Sequence, residues 1–158
     1  MHDVYRQVAH EISGASLAGQ GQLRLKVTSH SMSPLLRLGD HVLVRAVSPE
    51  TLQRGDLLVT QRGDGYLTHR LVAVDEFGWY TKGDRNRRAD EPIRAQFIAG
   101  LVVAVERRGH SRNIRTRPRR LVSRFLGWLG WKEANSNSRS GAWLARLISR
   151  TMLVFALI

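Results

Sequence analysis

The stretch Val27-Thr28-Ser29-His30-Ser31-Met32-Ser33-Pro34-Leu35-Leu36-Arg37-Leu38-Gly39-Asp40-His41-Val42-Leu43-Val44 decides how this chain is read. An alternating apolar run from Leu23 closes on Val27 and Thr28, and Pro34 cannot continue a hydrogen-bonded ladder. Gly39-Asp40 then turns the chain into a second alternating run through Val42 and Val44. The pattern predicts two strands, with the lone Ser31 at the point where the first gives way. Such a place exposes a hydroxyl.

Outward from this stretch the same texture continues to Val105. Short alternating or apolar runs of Val, Leu, Ile and Tyr are punctuated by Gly-Asp turns, the signature of an antiparallel β domain. Strands are expected near 22–28, 41–47, 56–62, 66–75, 78–82 and 97–107. Gly-Asp recurs at 39–40, 55–56, 63–64 and 83–84 with unequal spacing, which is turn chemistry and not a repeat. With 158 residues the chain makes one domain, with room for an appendage. It has no cysteine, so disulfides, thiolate nucleophiles and cysteine-ligated zinc are excluded.

Three residue types along this β region suit one chemistry. A serine hydroxyl is a weak nucleophile and needs an adjacent base. A neutral histidine suits that task near pH 7, and a carboxylate fixes its tautomer and steadies the imidazolium. Ser31, His69 on the apolar strand Tyr66–Val74, and Asp90 supply all three. Each also has a plain structural reading: a loop serine, a strand histidine, a turn aspartate bonded to its own backbone.

The same residues lie in a recognisable order. Ser31-Met32-Ser33-Pro34 followed by Gly39-Asp40-His41-Val42, then His69-Arg70-Leu71-Val72-Ala73-Val74, then Thr81-Lys82-Gly83-Asp84 with Asp90 six positions on, resemble the boxes of type I signal peptidases. Histidine at 69 is the archaeal and endoplasmic-reticulum form of the base; bacterial relatives carry lysine. The similarity covers roughly Leu23 to Val105. It implies a mainly β, signal-peptidase/S24-type domain and a serine endopeptidase that cleaves a secreted or leader-bearing precursor after small residues. It also implies that the precursor is held as an extended strand on a sheet edge. Within that resemblance Ser31 is the nucleophile, His69 the base and Asp90 the orienting carboxylate. Asp84 supports the site, and the Ser29 hydroxyl with the Ser31 N–H forms the oxyanion hole. His30 is read as a surface residue. No metal or organic cofactor is implied. The chain departs from the pattern at Arg85, where asparagine is usual, and at the N-terminus, where the customary membrane anchor has no counterpart. Met1 to Gln20 has loosely helical apolar spacing interrupted by His2, Asp3, Arg6, His10 and Glu11.

The formal net charge of +12 invites a nucleic-acid reading until it is divided by position. Residues 1–105 carry 13 Lys/Arg against 11 Asp/Glu, whereas residues 106–158 carry 12 against 2. The charge belongs to the tail. There, Glu106 to Arg117 reads as a basic linker and Pro118 as a helix start. Leu121, Val122, Phe125, Leu126, Trp128, Leu129 and Trp131 recur at helical spacing opposite Arg119, Arg120 and Arg124. A second apolar segment runs from Ala142 to Ile158, marginal in length for a membrane span. Tryptophan and phenylalanine favour an anionic membrane surface, or the β domain or a partner protein, over nucleic acid as the partner of these helices.

The expected organisation is therefore a helical segment at 1–22, a peptidase β domain at 23–108, and a basic linker with amphipathic, membrane-associated helices at 109–158. Two other functions compete. A self-cleaving repressor-type protease would need a lysine base and an N-terminal DNA-binding domain, neither of which is visible. A catalytically inactive, membrane-bound binding module would keep the fold alone.

Overall fold

The structure, a computed structural model, describes residues 22–135. The expected N-terminal helix and the second apolar segment of the tail lie outside the described residues. In chain order the elements are β1 (Gln22–Lys26), β2 (His41–Arg45), β3 (Leu57–Arg62), β4 (Gly65–Asp75), β5 (Gly78–Lys82), β6 (Ile98–Arg107), β7 (His110–Asn113) and α1 (Arg117–Ala134). Single 3₁₀ turns at Pro49–Thr51 and Ala95–Phe97 join some of them.

All seven strands belong to one antiparallel sheet, ordered β1-β2-β6-β3-β4-β5, with β7 also on β6. The long β6 organises it. Leu101 to Glu106 pair with β2, Ile98 to Leu101 pair with β3, and Ala104 to Arg107 pair with β7. The expected mainly β class and six of the strands are present. The seventh was not expected: β7 lies inside the stretch read as a linker. His110, Ser111, Arg112 and Asn113 are all exposed, so no apolar alternation marked the strand. It forms because the Arg108-Gly109 turn folds the chain back onto β6 backbone that would otherwise be unpaired, with Arg108 at φ +50° and Gly109 at +79°.

Strand pleating sends alternate residues to opposite faces. Leu25, Val27, Val42, Val44, Leu57, Val59, Val102 and Val105 build the main core, into which Met32 and Leu36 of the β1–β2 loop are inserted. Leu58, Leu71 and Leu101 form a smaller cluster with Val47, Leu52 and Trp79.

Helix α1 packs on β4. Leu126 and Leu129 are buried beneath it, and Gly127 permits the close approach: a Cβ there would meet the Gly55 nitrogen at 2.8 Å and the Leu71 carbonyl at 3.0 Å. Lys82 of β5 and Glu133 of α1, both buried, pair at 2.9 Å. The helix was expected as one amphipathic face for a membrane or for the domain. The apolar residues instead divide: Leu126 and Leu129 cover the sheet, while Leu121, Phe125 and Trp128 are exposed. Among the described residues no helix is long and apolar enough to cross a membrane.

The loop that carries Ser31 is closed by Asp40. Its carboxylate accepts the Arg37 backbone N–H at 2.8 Å and two Arg107 bonds, at 2.9 and 2.6 Å, while Arg107 also donates to the Leu35 carbonyl at 3.1 Å. Burial alone would push the Asp40 carboxyl up, but the Arg107 and Arg37 hydrogen bonds and charges together hold it below its ordinary value. A carboxyl lowered by folding stabilises the fold above its unfolded pKa, and that contribution is lost as pH falls through the folded pKa. Asp40→Asn should therefore cost about 1–3 kcal/mol near neutrality and reduce the loss of stability below roughly pH 4. Urea unfolding across this pH range checks it; a variant with the same acid slope as the parent contradicts it.

Candidate active site

Ser31 sits where β1 ends and the chain leaves the sheet. Backbone bonds from Val27 to the Asp40 carbonyl (2.8 Å) and from Gly39 to the Val27 carbonyl (3.0 Å) pinch the base of the loop. Within it, Ser33 N–H reaches the His30 carbonyl at 3.0 Å and Leu36 N–H the Met32 carbonyl at 3.0 Å. Met32 and Leu36 are each no more than 2% exposed, so the loop is anchored on both sides of the serine. Ser31 itself is half-buried and His30 exposed. The Ser31 and Ser29 hydroxyls lie 3.2 Å apart and share a hydrogen bond.

On β4 the pleat turns His69 to one face and Arg70 to the other. The two aspartates of the following loop divide accordingly. The loop after β5 folds back so that Asp90 N–H donates to the Thr81 carbonyl at 2.7 Å, and the Thr81 hydroxyl donates to Asp90 Oδ2 at 2.6 Å. Asp90 Oδ2 is thereby held 2.7 Å from His69 Nδ1. Asp84 takes the other face, accepting Arg70 Nε at 2.8 Å and Nη2 at 2.7 Å. Arg70 also donates to the Gly55 carbonyl at 3.1 Å and to the Ser123 hydroxyl of α1. The aspartate six positions beyond Asp84 is thus the one on the histidine, and the Asp84 carboxylate pairs with Arg70 instead.

Two contacts tie the serine loop to the histidine. Arg85 N–H donates to the Ser31 carbonyl at 2.9 Å. Two residues earlier, Gly83 lies against the imidazole, where a Cβ would stand 2.9 Å from His69 Nε2. The Gly83–Asn86 turn, closed by Asn86 N–H to the Gly83 carbonyl at 2.9 Å, therefore touches both. The Arg85 that departs from the expected asparagine contributes its backbone here. His69 is 3% exposed, and its Nε2 is buried with no hydrogen-bond partner among the described residues. With Nδ1 engaged by a carboxylate, Nε2 is the nitrogen that can accept a proton.

Arg70, Thr81, Lys82 and Glu133 were not singled out as parts of the site's framework. Arginine within the apolar strand Leu67–Val74 was the available signal: a buried guanidinium requires a buried carboxylate, and Asp84 was already a candidate. Lys82 could not have been placed from sequence, because its partner Glu133 is 51 positions away.

A cavity of about 630 Å³ is lined by none of Ser31, His69 or Asp90. Comparison of the sequence and structure with protein-family models, with curated proteins and with solved structures finds no match.

Proposed function

We propose that this protein is a serine endopeptidase of the signal peptidase type, in which Ser31 attacks, His69 serves as general base and Asp90 orients the imidazole. The observation that carries this reading is the buried His69, with Nδ1 fixed 2.7 Å from Asp90 and Nε2 left without a partner beside the turn that also holds Ser31. Most buried polar atoms have a hydrogen-bond partner, so the unpaired Nε2 leaves room for a donor such as the Ser31 hydroxyl. As an extended precursor is added at the sheet margin, the Ser31 hydroxyl turns from Ser29 toward Nε2, gives up its proton there and attacks the scissile carbonyl. The tetrahedral oxyanion is held by the Ser31 N–H and the Ser29 hydroxyl. His69 returns the proton to the leaving amine, and water then hydrolyses the acyl-enzyme by the same path. The 3.2 Å separation of the two hydroxyls supports the role of Ser29.

That role has its own test. Ser29→Ala should lower kcat by about 10²–10³ with little change in KM, as loss of one oxyanion donor does. Steady-state cleavage of a peptide with small residues at the scissile position measures it. A rise in KM with kcat unchanged would make Ser29 a substrate contact instead.

The self-cleaving repressor-type reading calls for a lysine base. Lys82 is buried and engaged by Glu133 on the α1 side of the sheet, and Lys132 lies over the Trp128 ring, 5.2 Å from its centroid. Both observations count against that alternative.

Membrane association belongs to the same proposal. Leu121, Phe125 and Trp128 make an outward stripe on α1, stacked in part (Phe125 and Trp128 at 5.8 Å) and flanked by exposed Arg124 and Lys132. Cations beside exposed aromatics suit the interface of an anionic bilayer. Phe125→Glu with Trp128→Glu should weaken co-sedimentation with anionic vesicles at least about tenfold, since each charge near the surface is worth on the order of 1 kcal/mol. Unchanged co-sedimentation removes α1 from the contact.

A further inference from the structure

The 630 Å³ cavity lies between α1, the β6–β7 hairpin and the main core, well above the size of a packing void and within the range of ligand pockets. Its walls are sorted by chemistry. Leu57, Val105 and Leu126, each under 10% exposed, form the floor, and Ile114 and Val122 continue it. Arg107, Arg108, Arg112 and Arg119 line the cavity as well, together with His110, and no Asp or Glu does. Arg107 is neutralised by Asp40, and Arg119 is steadied by donating to the Asn113 carbonyl at 2.7 Å.

We infer that this cavity binds an anionic amphiphile with one acyl chain, its carboxylate or phosphate among the arginines and its chain on the aliphatic floor. Charge complementarity selects an anion, because guanidinium is the usual partner of both groups. The aliphatic floor selects a hydrocarbon tail over a peptide, whose backbone polar groups would find no partner there. The lining holds no Phe, Tyr or Trp, so bases of a nucleic acid would have nothing to stack on.

The neighbours Val122 and Leu121 provide a controlled test, because Val122 lines the cavity and Leu121 faces outward, 68% exposed. The full chain is titrated with a dansyl-labelled undecanoic acid, kept monomeric, and with the corresponding alcohol. Saturable one-site binding of the acid is expected. Val122→Trp should weaken it at least tenfold while Leu121→Trp leaves it unchanged, and Arg108→Glu with Arg119→Glu should weaken the acid but not the alcohol. Equal effects of the two tryptophan variants would overturn the assignment. So would displacement of the probe by inorganic phosphate at comparable concentration, which means an anion site only, or by an apolar peptide. A second measurement needs no variant: a diazirine-bearing fatty acid should crosslink to Leu57, Val105, Ile114 or Leu126 of the wild-type chain. Crosslinks confined to the outer face of α1 or to residues 136–158 would contradict the proposal.

Discussion

Ser31→Ala and His69→Ala are each expected to reduce cleavage of a precursor peptide by about 10⁴-fold or more, and the double variant to be no worse than either single one. The expectation follows from the shared work of the pair: once the nucleophile is gone the base has no proton to accept, so the losses do not add. Asp90→Asn should fall between the parent and these variants. It keeps a group 2.7 Å from His69 Nδ1 but can donate where a carboxylate only accepts, which favours the wrong tautomer. Single-turnover cleavage by the four variants, with far-ultraviolet circular dichroism as the check on folding, decides it. Undiminished turnover by His69→Ala, or additive losses in the double variant, would mean that Ser31 and His69 do not act as a unit.

The second large effect is on stability, not chemistry. Arg70 is 1% exposed and holds Asp84, the Gly55 carbonyl and the Ser123 hydroxyl at once, so it joins the loop carrying Asp90, the turn before β3, and α1. Arg70→Met removes the cation and leaves the Asp84 carboxylate buried without its counter-charge. Breaking a buried pair in this way costs about 3–5 kcal/mol, or roughly 10 °C in Tm for a chain of this size. The companion Asp84→Leu in the same chain should restore most of the loss, because the penalty lies in the orphaned charge and not in the absence of the pair. Thermal unfolding of the two variants makes the comparison. If the double variant is as unstable as Arg70→Met, the contacts to Gly55 and Ser123 carry the energy, and the pairing with Asp84 is secondary.

The β region was legible because its turns announce themselves. Gly39-Asp40, Gly55-Asp56, Gly63-Asp64 and Phe77-Gly78 bracket runs whose alternation matches the pleat, and the expected strands fall within two residues of β1 to β6 at both ends. β7 was not legible, since its four residues bury no side chain and only backbone pairing holds them. The candidate site was legible as a set of residues and not as an arrangement. Sequence order says that Asp84 and Asp90 both follow β5; only the pleat of β4 and the return of the loop to Thr81 assign one to Arg70 and the other to His69. The docking of α1 was half legible. Leu126 and Leu129 share a helical face with many apolar neighbours, and Gly127 was the local sign that this face meets a backbone.

Activation of the Ser31 hydroxyl by the His69–Asp90 pair, as proposed, has a direct chemical readout. The most direct measurement is reaction of the full chain with a fluorophosphonate, which bonds to a serine only when its hydroxyl is activated, followed by peptide mapping of the adduct. A single adduct on Ser31 is expected in the wild-type chain, lost in His69→Ala and strongly slowed in Asp90→Asn. Absence of an adduct on Ser31 while other serines react, or an equal rate in His69→Ala, would contradict it.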